Sequence, residues 1–513
     1  MVRARGIGGG VREDRMARRT LASALALALA LAAAGAPRVA WAQDDAEPVA
    51  VVEEAPAAEA PAAEAPAAET PAYSADEPPA LSSPVALLVD RDTGYVLFEQ
   101  GADEQRTPAS ITKILTALVV LENASLDDVV TVEEGDFEHV TAESTTAGLK
   151  AGDVLTVRDL LAGLLLPSGN DAAYVLARAV GGDWQTFVGM MNEKAASLGC
   201  TSTHFSDPCG LAEDNHYTTA RDLVTIFEAV MAYPAFQEIA GSTTWEMPAT
   251  GENPARTITT TDLLLDPESP VYMGDVVVAG KTGFTYDAGK CLIVAAEKDG
   301  MRLAAVVLGG SDEEDADGVT PNYYDMRSLL EWGFGAWETG EVVSAGDVIA
   351  SAEVTLSSDG DEVGARSDDA IVTTFPRGTT IADLTVEPSW EGAFQAPIEK
   401  GDSLGEAAIS LDGRALGTVR VSAESAMELS LVDYAIWWVS SDPVHMGIVA
   451  GVVTVVFVVI GLVAAAVGRG RRRNEQFTIA VGERRAVAAA PSPQRLKPPT
   501  EKVAQKKGGK HFK

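Results

Sequence analysis

Cysteine is scarce in this chain. There are three in 513 residues, Cys200, Cys209 and Cys291. So few, and so scattered, they exclude a disulfide scaffold and a cysteine zinc site. Histidine is nearly as rare, with five isolated copies, so no metal and no cofactor is expected. Positive charge is short as well: 39 Lys and Arg stand against 75 Asp and Glu, a net charge of −36. A nucleic-acid partner needs clustered basic residues on one face and is excluded. The deficit is uneven, because the tail after Val467 is basic and everything before it is correspondingly more acidic. What remains is ample apolar material, 46% of the residues, in a chain long enough for two or more domains.

Arg18 and Arg19 precede a Leu/Ala run from Leu21 to Ala34, and Ala40-Trp41-Ala42 offers the small residues of a cleavage site. Residues 1–42 read as a secretory signal peptide cut before Gln43, with Met16 a plausible start, and the mature protein is expected to be exported. In an oxidising exterior Cys200 and Cys209 either pair or remain two buried thiols, since nothing in the sequence fixes their distance. The unit Glu-Ala-Pro-Ala-Ala recurs from Glu54 to Glu69. Proline at every fifth residue prevents a stable helix and the composition offers no core, so residues 43–80 are expected to be a disordered, extended acidic spacer.

The organising stretch is Thr107-Pro108-Ala109-Ser110-Ile111-Thr112-Lys113. Pro108 suits a first helical turn, and the apolar run from Ile111 to Leu121 is long enough for a buried helix. Ser110 then lies near a helix N-terminus, where free N–H groups and the dipole favour developing negative charge. Lys113 is one turn on and shares its face. A serine is a poor nucleophile at neutral pH, but a desolvated, uncharged lysine can take its proton. Upstream, Ala86–Asp90 and Tyr95–Glu99 read as strands around an Arg91-Asp92-Thr93-Gly94 turn. Downstream, helices are expected over Val157–Leu166, Ala172–Val180, Trp184–Leu198 and Ala220–Met231. Pro167-Ser168-Gly169-Asn170-Asp171 forms the loop between the first two, with Asn170 or Asp171 also able to act as a helix cap. Strands follow at Asp275–Gly280, running into Lys281, then at Cys291–Ala296 and Leu303–Leu308, and a helix at Asn322–Trp337 closes the region. This order is α+β, with first and last strands meeting in one sheet and helices inserted between.

Ser110-x-x-Lys113, Ser168-x-Asn170 and Lys281-Thr282-Gly283 occur in that order, on a helix, a loop and a strand. Each is common alone; together they resemble penicillin-binding proteins and serine β-lactamases. His204-Phe205-Ser206-Asp207-Pro208-Cys209-Gly210-Leu211, His216–Leu223 and Gly280-Lys281-Thr282-Gly283-Phe284-Thr285 narrow the resemblance to the D-alanyl-D-alanine carboxypeptidases of low molecular mass, over about residues 81–430. The resemblance implies a penicillin-binding/β-lactamase-like domain (antiparallel sheet plus helical region) over 81–340, then a small β-rich domain over 341–430. It implies catalysis by Ser110 as nucleophile, Lys113 as base and Ser168 as proton relay. Asn170, Lys281, Thr282, Gly283, Phe284 and Thr285 would line the substrate-binding strand and loop. The backbone N–H groups of Ser110 and Phe284 would form the oxyanion hole. Lys281 would add positive charge for the substrate carboxylate and help keep Lys113 neutral. The implied partners are a peptidoglycan stem peptide and β-lactams, which acylate the serine.

One departure stands out. Related enzymes carry basic residues after the strand equivalent to Val306–Gly309, whereas this chain has Ser311-Asp312-Glu313-Glu314-Asp315-Ala316-Asp317. This is either a solvated loop of no consequence or a weakening of anionic substrate recognition. From Val342 to Glu428 short alternating runs replace helical periodicity, with an Asp412-Gly413 hairpin turn. Gly447–Val467 carries no charge over the length needed to span a bilayer. Trp437 and Trp438 precede it, and Arg469, Arg471, Arg472 and Arg473 follow at once. The expectation is a single transmembrane helix over 447–467, a bacterial cell-membrane protein with its catalytic domain outside, and a basic, disordered cytoplasmic tail over 468–513. Two other readings compete with the carboxypeptidase. A serine β-lactamase would use a glutamate to activate the deacylating water, and none can be placed. A catalytically weak peptidoglycan-binding protein would tend to have lost one of the motif residues.

Overall fold

The computed structural model describes residues 73–485, apart from Glu143, Ala212, Glu213 and Glu252. The signal peptide and nearly all of the spacer lie outside the described residues. The spacer's expected end at 80 does not hold. The Glu/Ala/Pro repeat stops at Glu69, and the described chain from Tyr73 is built into the fold. The Trp332 indole N–H donates to the Ser74 carbonyl at 2.8 Å, and Ala75 and Leu81 pack on the core around that tryptophan.

The first sheet has five antiparallel strands: β1 (Val85–Asp90), β2 (Val96–Gln100) and, much later in the chain, β7 (Val277–Thr285), β8 (Gly289–Lys298) and β9 (Met301–Gly310). Their spatial order is β2-β1-β9-β8-β7, with β1 and β9 in register from Val85 opposite Leu308 to Asp90 opposite Leu303. The chain therefore leaves the sheet after β2 and returns to complete it, as the motif order anticipates. β8 and β9 are buried on both faces, and this is why they read as unbroken apolar runs.

The excursion is mainly helical. A 3₁₀ turn, Ala109–Thr112, leads into α1 (Lys113–Asn123). The hairpin β3 (Val129–Thr131) and β4 (Val154–Thr156) precedes α2 (Val157–Leu165), α3 (Asn170–Gly181), α4 (Trp184–Ser197), α5 (Ala220–Met231) and α6 (Pro234–Ala240). A second hairpin, β5 (Thr244–Met247) and β6 (Arg256–Thr259), leads back to β7. Neither hairpin was anticipated, since their three- and four-residue strands are too short to show a period. Caps follow local chemistry: the Thr156, Asp183 and Thr219 side chains accept from the N–H three residues on. The helices pack one face of the sheet in a core that includes Ile114, Leu115, Leu118, Phe227 and Val306. The other face is covered by α7 (Pro321–Ala336), with Met326, Leu329 and Leu330 on Leu88, Leu303 and Val307. Asp325 of α7 fixes the start of β1 by accepting from the backbone N–H and hydroxyl of both Ser82 and Ser83 at 2.6–3.0 Å.

The β-rich part begins earlier than residue 341. β10 (Trp337–Val343) leaves α7 directly and pairs with β13 (Ile371–Pro376). β11 (Val348–Thr355), β12 (Glu362–Ser367), β14 (Thr385–Trp390), β15 (Phe394–Gln395), β16 (Ser403–Leu411) and β17 (Arg414–Ala423) form a six-stranded sheet, ordered β14-β16-β17-β12-β11-β15. Helix-ending Trp337 stacks near Tyr95, with ring centroids 5.4 Å apart, and the Arg414 guanidinium lies 3.9 Å from the Tyr95 ring, so the strand β10 is tied to the β1–β2 turn.

The C-terminal segment is a separate compact unit. It holds α8 (Leu431–Ser441), capped by Ser430, and α9 (Pro443–Arg485). Pro443–Ala466 is apolar and long enough to cross a membrane: its 24 residues reach about 36 Å, against about 30 Å of hydrocarbon. The tail expected to be disordered from 468 instead continues α9 as far as Arg485. Arginine, glutamate and glutamine extend a helix readily and no proline interrupts before Pro491. Residues 486–513 lie outside the described residues.

Candidate active site

Ser110 is carried by the 3₁₀ turn at the mouth of α1, so three residues make one full turn and its side chain eclipses that of Lys113. The Lys113 amine is 2.8 Å from Ser110 Oγ, 2.7 Å from Asn170 Oδ1 and 2.9 Å from the Cys209 carbonyl. Two of these partners can only accept. A neutral amine satisfies both with its two N–H bonds and keeps its lone pair for the Ser110 hydroxyl proton. Lys113 is fully buried, and burial holds its pKa below the ordinary lysine value, opposed by nearby Cys209, Asp207 and Asp171. Burial also pushes the Cys209 thiol up to about 12, so it stays protonated and uncharged.

The strand motif meets the same turn from the sheet side. A Cβ on Gly283 would stand 3.0 Å from the Pro108 carbonyl and 3.2 Å from the backbone nitrogens of Ser110 and Ile111. Only glycine leaves that N–H open. Lys281, also buried, donates to the Thr282 carbonyl at 2.9 Å. Burial and then the neighbouring Lys113 hold its pKa well below the ordinary value, with Asp262 opposing. Asp262 lies against Gly280 and is itself buried; burial pushes its carboxyl up to about 6. The Thr282 hydroxyl shares a 2.6 Å hydrogen bond with Thr261, and the Thr285 hydroxyl oxygen accepts from Ala288 N–H at 3.0 Å. Phe284 is partly exposed at 38%.

The loop residues divide. Asn170 opens α3 and reaches Lys113. Ser168 is buried, yet its hydroxyl has no hydrogen-bond partner, and its backbone is held at φ 61°. The loop is fixed from outside: Asp171 accepts from Ala147, Leu149 and Ala172 N–H groups at 2.8–3.0 Å, and Thr145 donates to the Ser168 carbonyl at 2.7 Å. Asp171 is therefore a clamp on the 145–149 segment rather than a simple cap.

Sequence reasoning missed the bed under α1. Asp207 accepts from the N–H groups of Cys209, Gly210 and Leu211 at 2.5–2.9 Å, turning the Cys209 carbonyl towards Lys113. Thr116 donates to the Pro208 carbonyl at 2.6 Å. His216 Nδ1 accepts from Ser206 N–H at 3.1 Å, so its Nε2 carries the proton towards the Thr112 hydroxyl, 2.9 Å away. A Cβ on Gly210, which has φ +90°, would stand 1.9 Å from the Ala109 carbonyl, and Ala109 itself is bent to φ 49° just before Ser110. The only sequence signal for these residues was the Asp-Pro-Cys-Gly run with His216, legible as resemblance and not as geometry.

Residues 72–312 match the family model for D-alanyl-D-alanine carboxypeptidase, and residues 337–429 match the penicillin-binding protein 5 C-terminal domain. The chain is 38% identical over 270 residues to D-alanyl-D-alanine carboxypeptidase DacB2 of Mycobacterium tuberculosis, covering 51% of this chain and 87% of that protein. It is 31% identical over 351 residues to D-alanyl-D-alanine carboxypeptidase DacC of Escherichia coli, covering 66% and 83%. The chain belongs to the D-alanyl-D-alanine carboxypeptidase family. Among solved structures, penicillin binding protein 5 from Haemophilus influenzae superposes with a TM-score of 0.50 at 26% identity, covering 69% of this chain and 99% of that one. This carboxypeptidase thus has the family's fold, a sheet-and-helix peptidase followed by a β-rich domain, and the family's reaction class, a serine-type hydrolase. The β-lactamase and the catalytically weak binding readings give way to it.

Proposed function

We propose that this chain removes the terminal D-alanine from peptidoglycan stem peptides through an acyl-enzyme on Ser110. The observation that carries the reading is the set of three contacts at the Lys113 amine, which hold a fully buried lysine, its pKa lowered by that burial, 2.8 Å from the Ser110 hydroxyl oxygen. In the proposed sequence Ser110 attacks the carbonyl of the penultimate D-alanine and Lys113 takes its proton. The oxyanion is met by the backbone N–H groups of Ser110 and Phe284. The proton returns through Ser168 to the departing amine, whose unpartnered hydroxyl is free to accept and pass it. Asn170 holds Lys113 and the substrate amide. Burial keeps Lys113 neutral, and Lys281, with Thr282 and Thr285, hydrogen-bonds the leaving end. Water then enters, Lys113 takes its proton, and the ester is hydrolysed. A β-lactam follows the first half and leaves slowly. No metal or cofactor takes part in this scheme.

For the whole chain we read residues 1–42 as an export signal and the segment ahead of Tyr73 as an acidic spacer. The catalytic part lies outside a bacterial cell membrane, anchored by the apolar part of α9, with the arginines after it on the cytoplasmic side. Fluorescent penicillin is expected to label the wild type and not Ser110→Ala, with D-alanine released from diacetyl-Lys-D-Ala-D-Ala. Rapid penicillin turnover would favour a β-lactamase, and absence of any covalent label would overturn both.

A further inference from the structure

Behind the turn that carries Ser110 lies a titratable ring that the proposed reaction does not use. His216 is buried, with 3% exposure. Its backbone is placed without help from the ring. Tyr217 exchanges both backbone hydrogen bonds with His204 at 2.8–2.9 Å, and Thr218 does the same with Arg106, in the approach to Ser110. Asn215, at φ 54°, turns the chain just before it. The imidazole is thereby presented between two segments. Its Nδ1 accepts from Ser206 N–H at 3.1 Å, and its Nε2 lies 2.9 Å from Thr112 Oγ1. Thr112 is wholly buried and stands directly before Lys113. The Phe205 ring closes on the imidazole edge-on, with centroids 5.4 Å apart.

We infer that His216, in its uncharged form, is a positioning residue that seats the Ser110–Lys113 turn on the 206–211 turn, and that adding a proton to its ring loosens that seating. A neutral ring offers one acceptor and one donor, which is what these two neighbours take. A charged ring has two donors and no acceptor. Its Nδ1–H would then face the Ser206 N–H, donor against donor, in a buried place where an unmade hydrogen bond is costly. Ser206 directly precedes Asp207, whose carboxylate gathers the N–H groups of Cys209, Gly210 and Leu211. That gathering aims the Cys209 carbonyl at the Lys113 amine, so displacing Ser206 weakens one of the contacts that hold Lys113 beside Ser110. At neutral pH the proton stays off. Burial lowers the pKa of the ring, with Asp207 opposing the fall and His204 adding to it. Lys113, one residue beyond Thr112, is the titratable group on the third side. The effect therefore belongs to acid, below the ordinary histidine value of about 6.5. Stability follows the same sign. The folded ring binds fewer protons than the unfolded one, so stability falls as pH drops from the unfolded value towards the folded value.

The inference rests on acylation at Ser110 and is tested with the full-length protein in detergent. Wild type, His216→Gln and His216→Phe are compared for the rate of fluorescent-penicillin acylation from about pH 7.5 to about pH 4.5, a range that spans histidine titration. Near-ultraviolet circular dichroism gives the folded fraction at each pH, and rates are taken per folded molecule. Protonation of Lys113 is common to all three proteins, so the ratio of variant to wild-type rate isolates the ring. His216→Gln carries an amide that does not titrate, and its rate relative to wild type should rise about five-fold from the neutral end to the acid end. His216→Phe packs on Phe205 but makes neither hydrogen bond, and should acylate about ten-fold more slowly than wild type at neutral pH. Histidine ring-carbon NMR of the wild type should show the His216 signal, identified by its absence from His216→Gln, titrating with the midpoint of the rate ratio. A ratio that stays constant with pH, or a His216 midpoint that does not match it, overturns the inference while leaving acylation in place. So does a wild-type rate in His216→Phe at neutral pH. Absence of a covalent label on the wild type at every pH overturns the reading on which the inference rests.

Discussion

At the scale of single residues, the lysine proposed as base works against the fold that holds it. A base whose folded pKa lies below its unfolded value binds fewer protons when folded, so stability rises with pH between the two values and is reduced below them. Lys113 lies in this class because burial dominates its surroundings. Lys113→Met is expected to slow penicillin acylation by about 10²–10⁴ while raising stability at pH 7, and to weaken the gain in stability between neutral and alkaline pH. Stopped-flow acylation and urea melts across pH check the two halves separately. Gly283 is a second single-residue test. Gly283→Ala places a methyl 3.2 Å from Ser110 N, where the proposed oxyanion donor stands. Its acylation rate should fall about 10²–10³-fold with little change in melting temperature, as for loss of one such donor. That Ser110 and Lys113 share one face and that the Lys281-Thr282-Gly283 strand exists were legible in the sequence because each is a short pattern. The backbone strain at Ala109 and Ser168 was not, since neither residue type announces a positive φ.

At the scale of elements, α1 is positioned less by its own propensity than by the 207–211 turn beneath it. Asp207→Ala leaves three N–H groups without their acceptor, two of them in buried residues, and should destabilise the protein by about 3 kcal/mol in denaturant melts, with acylation slowed as the Cys209 carbonyl swings away. Leu115→Ala, which only empties core, should cost about 2–5 kcal/mol and leave the acylation rate of the folded fraction unchanged. The contrast separates packing from positioning. The long helices and the doubly buried strands were readable from length and apolar content. The hairpins β3–β4 and β5–β6 were not, because their pairing is decided by the loops they brace. The Asp207 turn needed contacts ninety residues apart in sequence, which no local pattern encodes.

At the scale of the molecule, two boundaries moved for the same reason. The chain is part of the fold by Ser74 and the β-rich part starts at Trp337 because the Ser74 carbonyl and the Trp337 ring both join the cluster around Trp332. Composition marks where repeats stop; it does not mark where a tryptophan recruits the chain. Ending the chain after Asp442 removes the apolar part of α9 and is expected to move the enzyme from the membrane pellet to the soluble fraction, with kcat on the diacetyl tripeptide within about two-fold of the full-length value. Retention of the shortened protein in carbonate-washed membranes would point to α8, whose Leu431, Val432 and Trp437 are exposed.

All three cysteines are buried as free thiols. Maturation therefore calls for no oxidase and no isomerase. The enzyme should refold as well in dithiothreitol as in air, and bulky thiol reagents should reach it only after it unfolds.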